Sequence, residues 1–268
     1  MQISRRSSIA YASAATVCAA LPLPTIASPR APRVAPNGAQ QIQHLVIHED
    51  ESGGLAYLAD LSIPASDTTW RAHGRLDETA FHTAQESYRR RGYGLRRVSA
   101  FQTRRGLRYA AIWQFGYGAP AQIRLGMTLA EFRAAAELAG RQGLAMTHLD
   151  ASATAQGARF AAIWKKSDGP AQDVRAGLTG TQYEQQCATL AAQGFAPSQI
   201  AGYAQDGEAR FAVVFVRDGV QRQAVHAIAA EDFRLRSRAM VAQGYSLRDA
   251  SGFVAGGQPY YAGVWDKA

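Results

Sequence analysis

The stretch that decides the fold is RYAAIW at residues 108–113, because it returns 51 residues later as RFAAIW at residues 159–164. The aromatic residue that ends each copy recurs at the same interval, since Phe215 lies 51 residues after Trp164 and Trp265 lies 50 residues after Phe215. Self-similarity at a period near 50 residues is the signature of a tandem-repeat protein.

Two further sets of residues keep this period. One is aromatic and consists of Phe81, Phe132, Tyr183 and Phe233. The other is glycine, each followed by an apolar residue, and consists of Gly92, Gly143, Gly194 and Gly244. Three independent sets with one spacing predict four consecutive units.

Each unit is predicted to contain one helix followed by a small sheet. Apolar residues at i, i+4 and i+7, as in Phe132, Ala136 and Ala139, are typical of one buried helical face. Good N-cap residues precede three of the helices, at Asp77, Thr128 and Thr179, whereas Ala229 is a poor one. The repeated glycine ends each helix, because glycine takes the left-handed conformation without steric cost.

The fold class predicted from this pattern is α+β, with each unit forming one helix over a small antiparallel sheet. Units of this size stack on their neighbours, either as an open curved array or as a propeller-like partial ring. The predicted organisation is a signal peptide at 1–27, a linker at 28–40 and a repeat domain at 41–268, with a half-unit at 43–62 and units at about 68–118, 119–169, 170–220 and 221–268.

The first 27 residues predict export. A short basic start is followed by an alanine-rich apolar run and by small residues before a cleavage site after Ala27. The pair Arg5-Arg6 resembles the twin-arginine export motif, although Ser8 stands where that motif usually has Phe, and an ordinary secretory signal is the alternative. The apolar run is too short for a transmembrane helix. We therefore expect a periplasmic or secreted protein.

The repeats resemble the bacterial tandem-repeat modules found in front of the lactamase-like catalytic domain of polyglycine hydrolases. The helix that ends in Gly92-Tyr93 or Gly244-Tyr245 carries this resemblance, together with the strands at 108–113 and 159–164. It covers roughly residues 41–266. The resemblance implies a repeat architecture and a role outside the cytoplasm; because the chain has no Ser-x-x-Lys motif, it implies no catalytic activity.

The net charge of +8 comes mainly from arginine and favours anionic partners. At the first residue of the repeated strand, Arg108, Arg159 and Arg210 predict a row of guanidinium groups that suits carboxylates, sulfates or phosphates. The alternative is an ion pair between each arginine and the neighbouring helix. Nucleic acid is not an expected partner of an exported protein.

A second arginine group lies in unit one. Eight arginines fall within twenty residues there, and no Asp or Glu lies between Glu86 and Glu131. We select as candidate binding residues Arg89, Arg90, Arg91, Arg104 and Arg105. A positive edge of this kind would bind an anionic polymer, a lipid surface or an acidic envelope protein, and the alternative is a solvated helix end and turn.

No residue pattern predicts catalysis. Cys187, the only cysteine after the predicted cleavage site, is interpreted as a buried structural thiol rather than a nucleophile, because its repeat equivalents are Gln85, Ala136 and Ser237. His44 and His48 are predicted on a strand, where they lie too far apart to share a metal. We therefore predict no catalytic residue, metal site or cofactor, and a non-catalytic binding or adaptor module for a peptide or an anionic envelope polymer. A hydrolase of unrecognised type, acting on an extracellular peptide or glycan, is the alternative.

Overall fold

A computed structural model describes residues 41–49, 55–62 and 70–267. The elements in chain order are β1 (Gln41–Glu49), β2 (Leu55–Ser62), β3 (Trp70–Leu76), α1 (Glu78–Arg89), β4 (Tyr93–Thr103), β5 (Gly106–Phe115), β6 (Gln122–Met127), α2 (Leu129–Arg141), β7 (Leu144–Thr154), β8 (Gly157–Lys166), β9 (Gln172–Leu178), α3 (Gly180–Ala191), β10 (Ala196–Gln205), β11 (Glu208–Val216), β12 (Arg222–Ile228), α4 (Ala230–Ala242), β13 (Tyr245–Ala255) and β14 (Gln258–Lys267). The predicted signal peptide at 1–27 and linker at 28–40 lie outside the described residues.

Each repeat is one helix over a three-stranded antiparallel sheet, which confirms the predicted α+β unit. The last strand of the unit lies in the middle of its sheet, so that the strand order in unit one is β3-β5-β4. A tight turn joins the two longest strands, with Thr103 paired to Gly106 at the end of the ladder. Because the middle strand has a partner on both sides, five consecutive residues of it are buried in units one and two.

The helix ends follow the predicted signals. The Thr128 side chain accepts a hydrogen bond from the Glu131 amide, and Glu131 binds back to the Thr128 backbone, which forms a complete capping box. Ala229 makes no side-chain cap at the start of α4. Gly143 has a φ of 67°, the left-handed conformation expected of a residue that ends a helix.

The middle strand of each repeat packs on both faces, and this explains why the repeats stack. In β8, Phe160 stacks on Phe132 of α2 at a centroid distance of 4.9 Å, and Trp164 on the same face is only 1% exposed. The opposite face of β8 carries Ala161 and Ile163, which are buried in the hydrophobic core of unit one. Each unit therefore completes the core of the unit before it.

The second strands of the four repeats lie side by side around a common axis. β4 contacts β7, β7 contacts β10, and β10 contacts β13. The first and last repeats also meet, because Arg97 of unit one forms an ion pair with Asp249 of unit four, N···O 2.9 Å. The repeats thus form a propeller-like ring rather than an open curved array. Their sheets stay separate, so the ring is not a closed barrel.

The two strands of the predicted half-unit pair only with each other within the described residues. β1 and β2 form an antiparallel two-stranded sheet, and they do not extend the sheet of a repeat. β1 contacts both β4 and β13. The half-unit therefore lies where the first repeat meets the last.

Candidate functional site

A β-bulge occurs at the same place in the second strand of every repeat. These four strands, here called the inner strands, are β4, β7, β10 and β13. The pairing register shifts between residues 95 and 97 in unit one, and between the equivalent residues of the other three units. Such a bulge inserts one extra residue and re-aims the side chains that follow it. The residues directly after the four bulges, here called the axial quartet, are Arg97, His148, Gln199 and Asp249.

Three side chains of the axial quartet bind the preceding repeat. The His148 Nε2–H donates to the Val98 carbonyl at 2.7 Å, and the Gln199 Nε2–H donates to the Met146 carbonyl at 3.3 Å. Asp249 accepts from the Ile200 amide at 2.9 Å. Each contact joins one unit to the unit before it.

Arg97, in the first repeat, binds the last repeat of the chain instead of a preceding one. Its guanidinium donates to the Asp249 carboxylate at 2.9 Å and to the Arg248 carbonyl at 3.2 Å, so the first unit binds the fourth. The Arg97 side chain is 18% exposed and the Asp249 side chain is 4% exposed. The ring is therefore closed by a largely buried ion pair.

A second layer of polar groups lies two residues further along the inner strands. Asp150 accepts from the Ala100 amide at 2.7 Å, and the Ser251 hydroxyl accepts from the Gly202 amide at 3.0 Å. Both contacts again join neighbouring repeats. Side chains near the axis therefore satisfy backbone groups that no sheet ladder reaches.

Burial shifts the titration of these groups. Burial, together with repulsion from Arg97, lowers the pKa of His148 to about 3, so its imidazole is neutral at pH 7. Burial raises the pKa of Asp150 to about 7, against the opposing effect of its bond to the Ala100 amide. Burial also raises the pKa of Asp249, and Arg97 opposes that shift.

A cavity of about 180 Å³ lies on the axis, on the side where the hairpin turns lie. All four repeats line it. Its polar walls include Arg97, His148, Asp150 and Ser251, and Phe253 supplies part of the apolar wall. Because titratable groups from different units meet here, this cavity is the first candidate site.

A second cavity, here called the axial basin, lies on the other side of the axial quartet. Its volume is about 300 Å³, and it is lined mainly by polar groups. Six of its lining residues are Arg96, Arg97, Tyr117, Ser198, Gln199 and Arg248, and Asp266 adds one acid. Three of these six are arginines, which makes the axial basin the second candidate site.

The predicted row of strand arginines does not lie in either cavity. Arg108, Arg159 and Arg210 are half-buried, and each guanidinium donates to the carbonyl of the residue before it. None of the three has an ion pair to a helix among the described residues, and Arg210 pairs instead with Glu208 of its own strand at 2.9 Å. A ligand at this position would have to displace these backbone contacts.

The predicted basic edge of unit one is divided between two places. Arg89 is the last residue of α1 and Arg90 and Arg91 follow it, whereas Arg104 and Arg105 form the turn after β4. Those two places are separated by the 11 residues of β4, roughly 30 Å along the strand.

The arginines at the end of α1 also have partners nearby. Arg89 and Arg90 share the Glu86 carboxylate, both at 2.8 Å, and Arg91 lies over the Tyr88 ring at 4.9 Å. The sequence has no acid between Glu86 and Glu131, but Glu86 itself already pairs with two of the three guanidinium groups. The exposed pair Arg104 and Arg105 has no such ion pair among the described residues.

Cys187 is half-buried and hydrogen-bonds with Tyr183, and burial raises the pKa of its thiol to about 11. At neutral pH the group is a thiol rather than the nucleophilic thiolate. Within the described ranges no three His, Cys, Asp or Glu side chains lie together as a metal site. Nor does any helix of those ranges have the length and apolar character needed to cross a bilayer.

The axial quartet and the axial basin were missed by the sequence reasoning. The repeat alignment does contain a signal, since the fifth residue after the helix-ending glycine is polar in every unit, as Arg, His, Gln or Asp. Alternation alone could not assign a direction to that position, because the bulge changes which way the side chains point.

Four consecutive segments of the chain match a family described as "Polyglycine hydrolase-like, structural repeat": residues 67–115, 118–167, 169–218 and 219–268. These segments are the structural repeats described above. No curated protein matches the chain.

Proposed function

We propose that this chain, which belongs to the polyglycine hydrolase-like structural repeat family, is an exported, non-catalytic module that binds a peptide or an anionic polymer of the cell envelope. The observation that carries the proposal is the axis of the ring, where polar side chains from all four repeats converge and leave a cavity on either side. In repeat proteins a surface built jointly by several units is the usual binding surface.

The hydrogen bonding of the axis favours binding over catalysis. Asp150 binds the Ala100 amide, and His148 binds the Val98 carbonyl, so both groups hold the backbone of the neighbouring repeat. A general acid or base has to be within reach of the substrate proton and free to exchange it. Groups held in this way form a rigid, preorganised wall.

The alternative of a hydrolase has one specific observation in its favour. The carboxyl of Asp150 lines the axial cavity and titrates near neutral pH, which is the range of a general acid or base. If the chain is a hydrolase of this type, Asp150→Asn will abolish turnover of an envelope peptide or glycan while the fold is retained. Turnover that persists in the variant at wild-type rate would remove this alternative.

Binding to polyanions tests the proposal. We expect weak association of the chain with poly-L-glutamate at low salt, which fades near physiological ionic strength because exposed charges are screened there. Neutral dextran of similar length is the control polymer. Equal retention of the chain on both polymers at low salt would contradict an anionic ligand.

Three variants locate the binding surface. Since the structure separates Arg89, Arg90 and Arg91 from Arg104 and Arg105, the two groups are replaced by Gln independently. A third variant replaces Arg108, Arg159 and Arg210 by Gln. The set whose loss weakens binding identifies the contact surface, and undiminished binding in all three variants would place the ligand elsewhere, with the axial basin as the next candidate.

The export part of the proposal is tested at the paired arginines of the predicted signal peptide. The paired arginines are read by the twin-arginine receptor, so we expect Arg5→Lys together with Arg6→Lys to retain the precursor inside the cell. Cell fractionation of the wild type and the double variant measures this. Normal export of the double variant would leave an ordinary secretory signal, and retention of both forms in the cytoplasm would contradict export.

A further inference from the structure

We propose that the axial basin binds a free carboxylate together with the amide N–H next to it, as found at the C-terminal end of a peptide or in an N-acyl amino acid. The inference rests on the proposed binding function and gives that function a site and a ligand class. It differs from polyanion binding at the exposed arginines, because it needs one carboxylate and a defined neighbouring donor rather than a dense array of charges.

The charge of the axial basin is positive. Arg96, Arg97 and Arg248 contribute three guanidinium groups to its wall. The two nearby carboxylates are already engaged, since Asp249 pairs with Arg97 and Asp266 accepts from Arg248 at 2.8 Å. Asp266 also accepts from the Arg222 Nε–H at 2.7 Å, so its charge is shared between two guanidinium groups.

Among the three arginines of the basin, Arg96 has the greatest remaining capacity to bind an anion. Among the described residues its guanidinium makes one hydrogen bond, to the Gln114 side-chain oxygen at 2.5 Å. The group lies over the Tyr117 ring, 5.7 Å from the centroid, and Lys165 lies over the same ring at 3.4 Å. An arginine that is oriented by an aromatic ring and retains unused N–H groups is well suited to a planar carboxylate.

Burial and neighbouring cations support this assignment. Burial lowers the pKa of Arg96, and repulsion from Arg97 adds to that shift. The pKa of Lys165 is lowered by burial and by Arg96. A bound anion would relieve this repulsion.

Two residues that line the basin each have a buried polar atom without a partner in the described part of the chain. The two atoms are the Ser198 Oγ, in a residue that is 1% exposed, and the Gln199 Oε1. The amide orientation of Gln199 is fixed, because its Nε2–H donates to the Met146 carbonyl. A buried polar atom without a partner costs about 1–3 kcal/mol, so such atoms mark a place where a ligand can bind.

These two atoms define the ligand beyond its charge. The Ser198 hydroxyl can donate to a carboxylate oxygen, whereas the Gln199 carbonyl oxygen can only accept. An acceptor beside three arginines requires a ligand that carries an N–H donor next to its anionic group. The volume of about 300 Å³ exceeds that of a single small anion and accommodates an amino-acid-sized group.

The test is a titration of the chain by calorimetry with four probes. N-acetylalanine carries both features, acetate carries only the carboxylate, N-acetylalaninamide carries only the amide groups, and inorganic phosphate is a different anion. We expect N-acetylalanine to bind at least tenfold more tightly than each of the other three probes. Equal affinity for acetate, or tighter binding of phosphate, would overturn the assignment of the ligand.

Arg96→Thr tests the site, because Thr147 occupies the equivalent position of unit two and shows that the bulge accepts threonine. Losing a hydrogen bond to a charged group weakens binding by about ten- to a hundredfold. Ser198→Ala should weaken binding about tenfold or more, because the hydroxyl donates to a charged carboxylate. Arg105→Gln is the matched control, since it removes the same charge from the exposed turn at the other end of β4.

The outcomes separate this inference from the proposed function. Weakened N-acetylalanine binding in Arg96→Thr and unchanged binding in Arg105→Gln support the axial basin. Equal effects of the two variants overturn it, as does the absence of any N-acetylalanine binding to the wild type. Retention on poly-L-glutamate in that last case would leave the proposed function standing without this site, and loss of both interactions would contradict both.

Discussion

At the residue scale, the position five residues after each helix-ending glycine has a different chemistry in every repeat but the same task. His148 and Gln199 both donate to a carbonyl of the preceding unit, and Asp249 accepts from an amide of that unit. Exact repetition of one side chain would place four like groups near one axis. The ring instead combines a cation and an acid, which pair with each other, and two neutral donors, which bind backbone carbonyls.

The pKa shifts of His148 and of Asp150, two residues further along β7, predict opposite pH dependences of stability. His148 is neutral in the folded protein down to about pH 3, whereas the ordinary pKa of histidine is 6.5. As the pH falls below 6.5, His148 is protonated in the unfolded chain but not in the folded protein, so the folded protein loses stability. Asp150 keeps its proton in the folded protein up to about pH 7, whereas the ordinary pKa of aspartate is 3.8. Between about pH 4 and 7 the unfolded chain loses this proton and the folded protein does not, so stability decreases as the pH rises. In the wild type the two slopes oppose each other.

Replacing either residue should reveal how the other makes the free energy of unfolding depend on pH. Relative to the wild type, His148→Gln should lose stability as the pH rises from 4 to 6.5, and Asp150→Asn should gain stability over the same range. Glutamine is chosen because Gln199 already makes the equivalent contact in unit three, and asparagine can still accept from the Ala100 amide. Urea unfolding at a series of pH values measures both. Profiles parallel to that of the wild type in both variants would refute the shifts.

At the element scale, the repeated aromatic at the end of the middle strand holds the helix on the sheet. Trp164 is 1% exposed and belongs to the core between α2, β8 and the next repeat. We expect Trp164→Ala to destabilise the protein by about 3–5 kcal/mol, as found when large aromatic residues are removed from a core. The free energy of unfolding in urea measures the effect.

A matched substitution lies at the end of the equivalent strand of unit one. Phe115 is also an aromatic residue of a middle strand, but it is 51% exposed, so Phe115→Ala should cost only about 0.5 kcal/mol. Similar losses in the two variants would mean that the repeated aromatic does not form the core of the unit.

Elements could be predicted from the sequence where their signals are local. The capping residues Thr128 and Thr179, the glycine after each helix and the alternation in residues 108–113 depend only on neighbours along the chain, and each indicated the right element. The bulges left no comparable signal, because one unpaired residue in a strand does not change its composition. The axial quartet and both cavities depend on those bulges, so the candidate site could not be located in advance.

The arginines show the same limit. Residues 89–91 and 104–105 are close in sequence, yet a full strand separates them in space. The acids that pair with Arg97 and Arg248 come from unit four, and only the closure of the ring brings Asp249 next to unit one. The charge of a sequence segment therefore overestimated the positive potential of the predicted edge of unit one. It gave no indication of the axial basin.

At the scale of the whole molecule, closure of the ring follows from a rotation that is repeated from each unit to the next. The spacing near 50 residues defines the unit, but the angle between units depends on how the inner strands bend, and the sequence leaves that open. The axial cavity and the axial basin exist only when unit one meets unit four. The central claim is therefore that Arg97 and Asp249 are in direct contact.

A double-mutant cycle on Arg97→Gln and Asp249→Asn tests this claim most directly. Breaking a buried ion pair at one partner leaves the other charge uncompensated, so each single variant should lose about 3–5 kcal/mol of unfolding free energy. Removing both charges should cost no more than either single change, which corresponds to a coupling energy above about 2 kcal/mol. Single effects that add to within about 0.5 kcal/mol in the double variant would show that the two residues do not interact, and would contradict the closed ring.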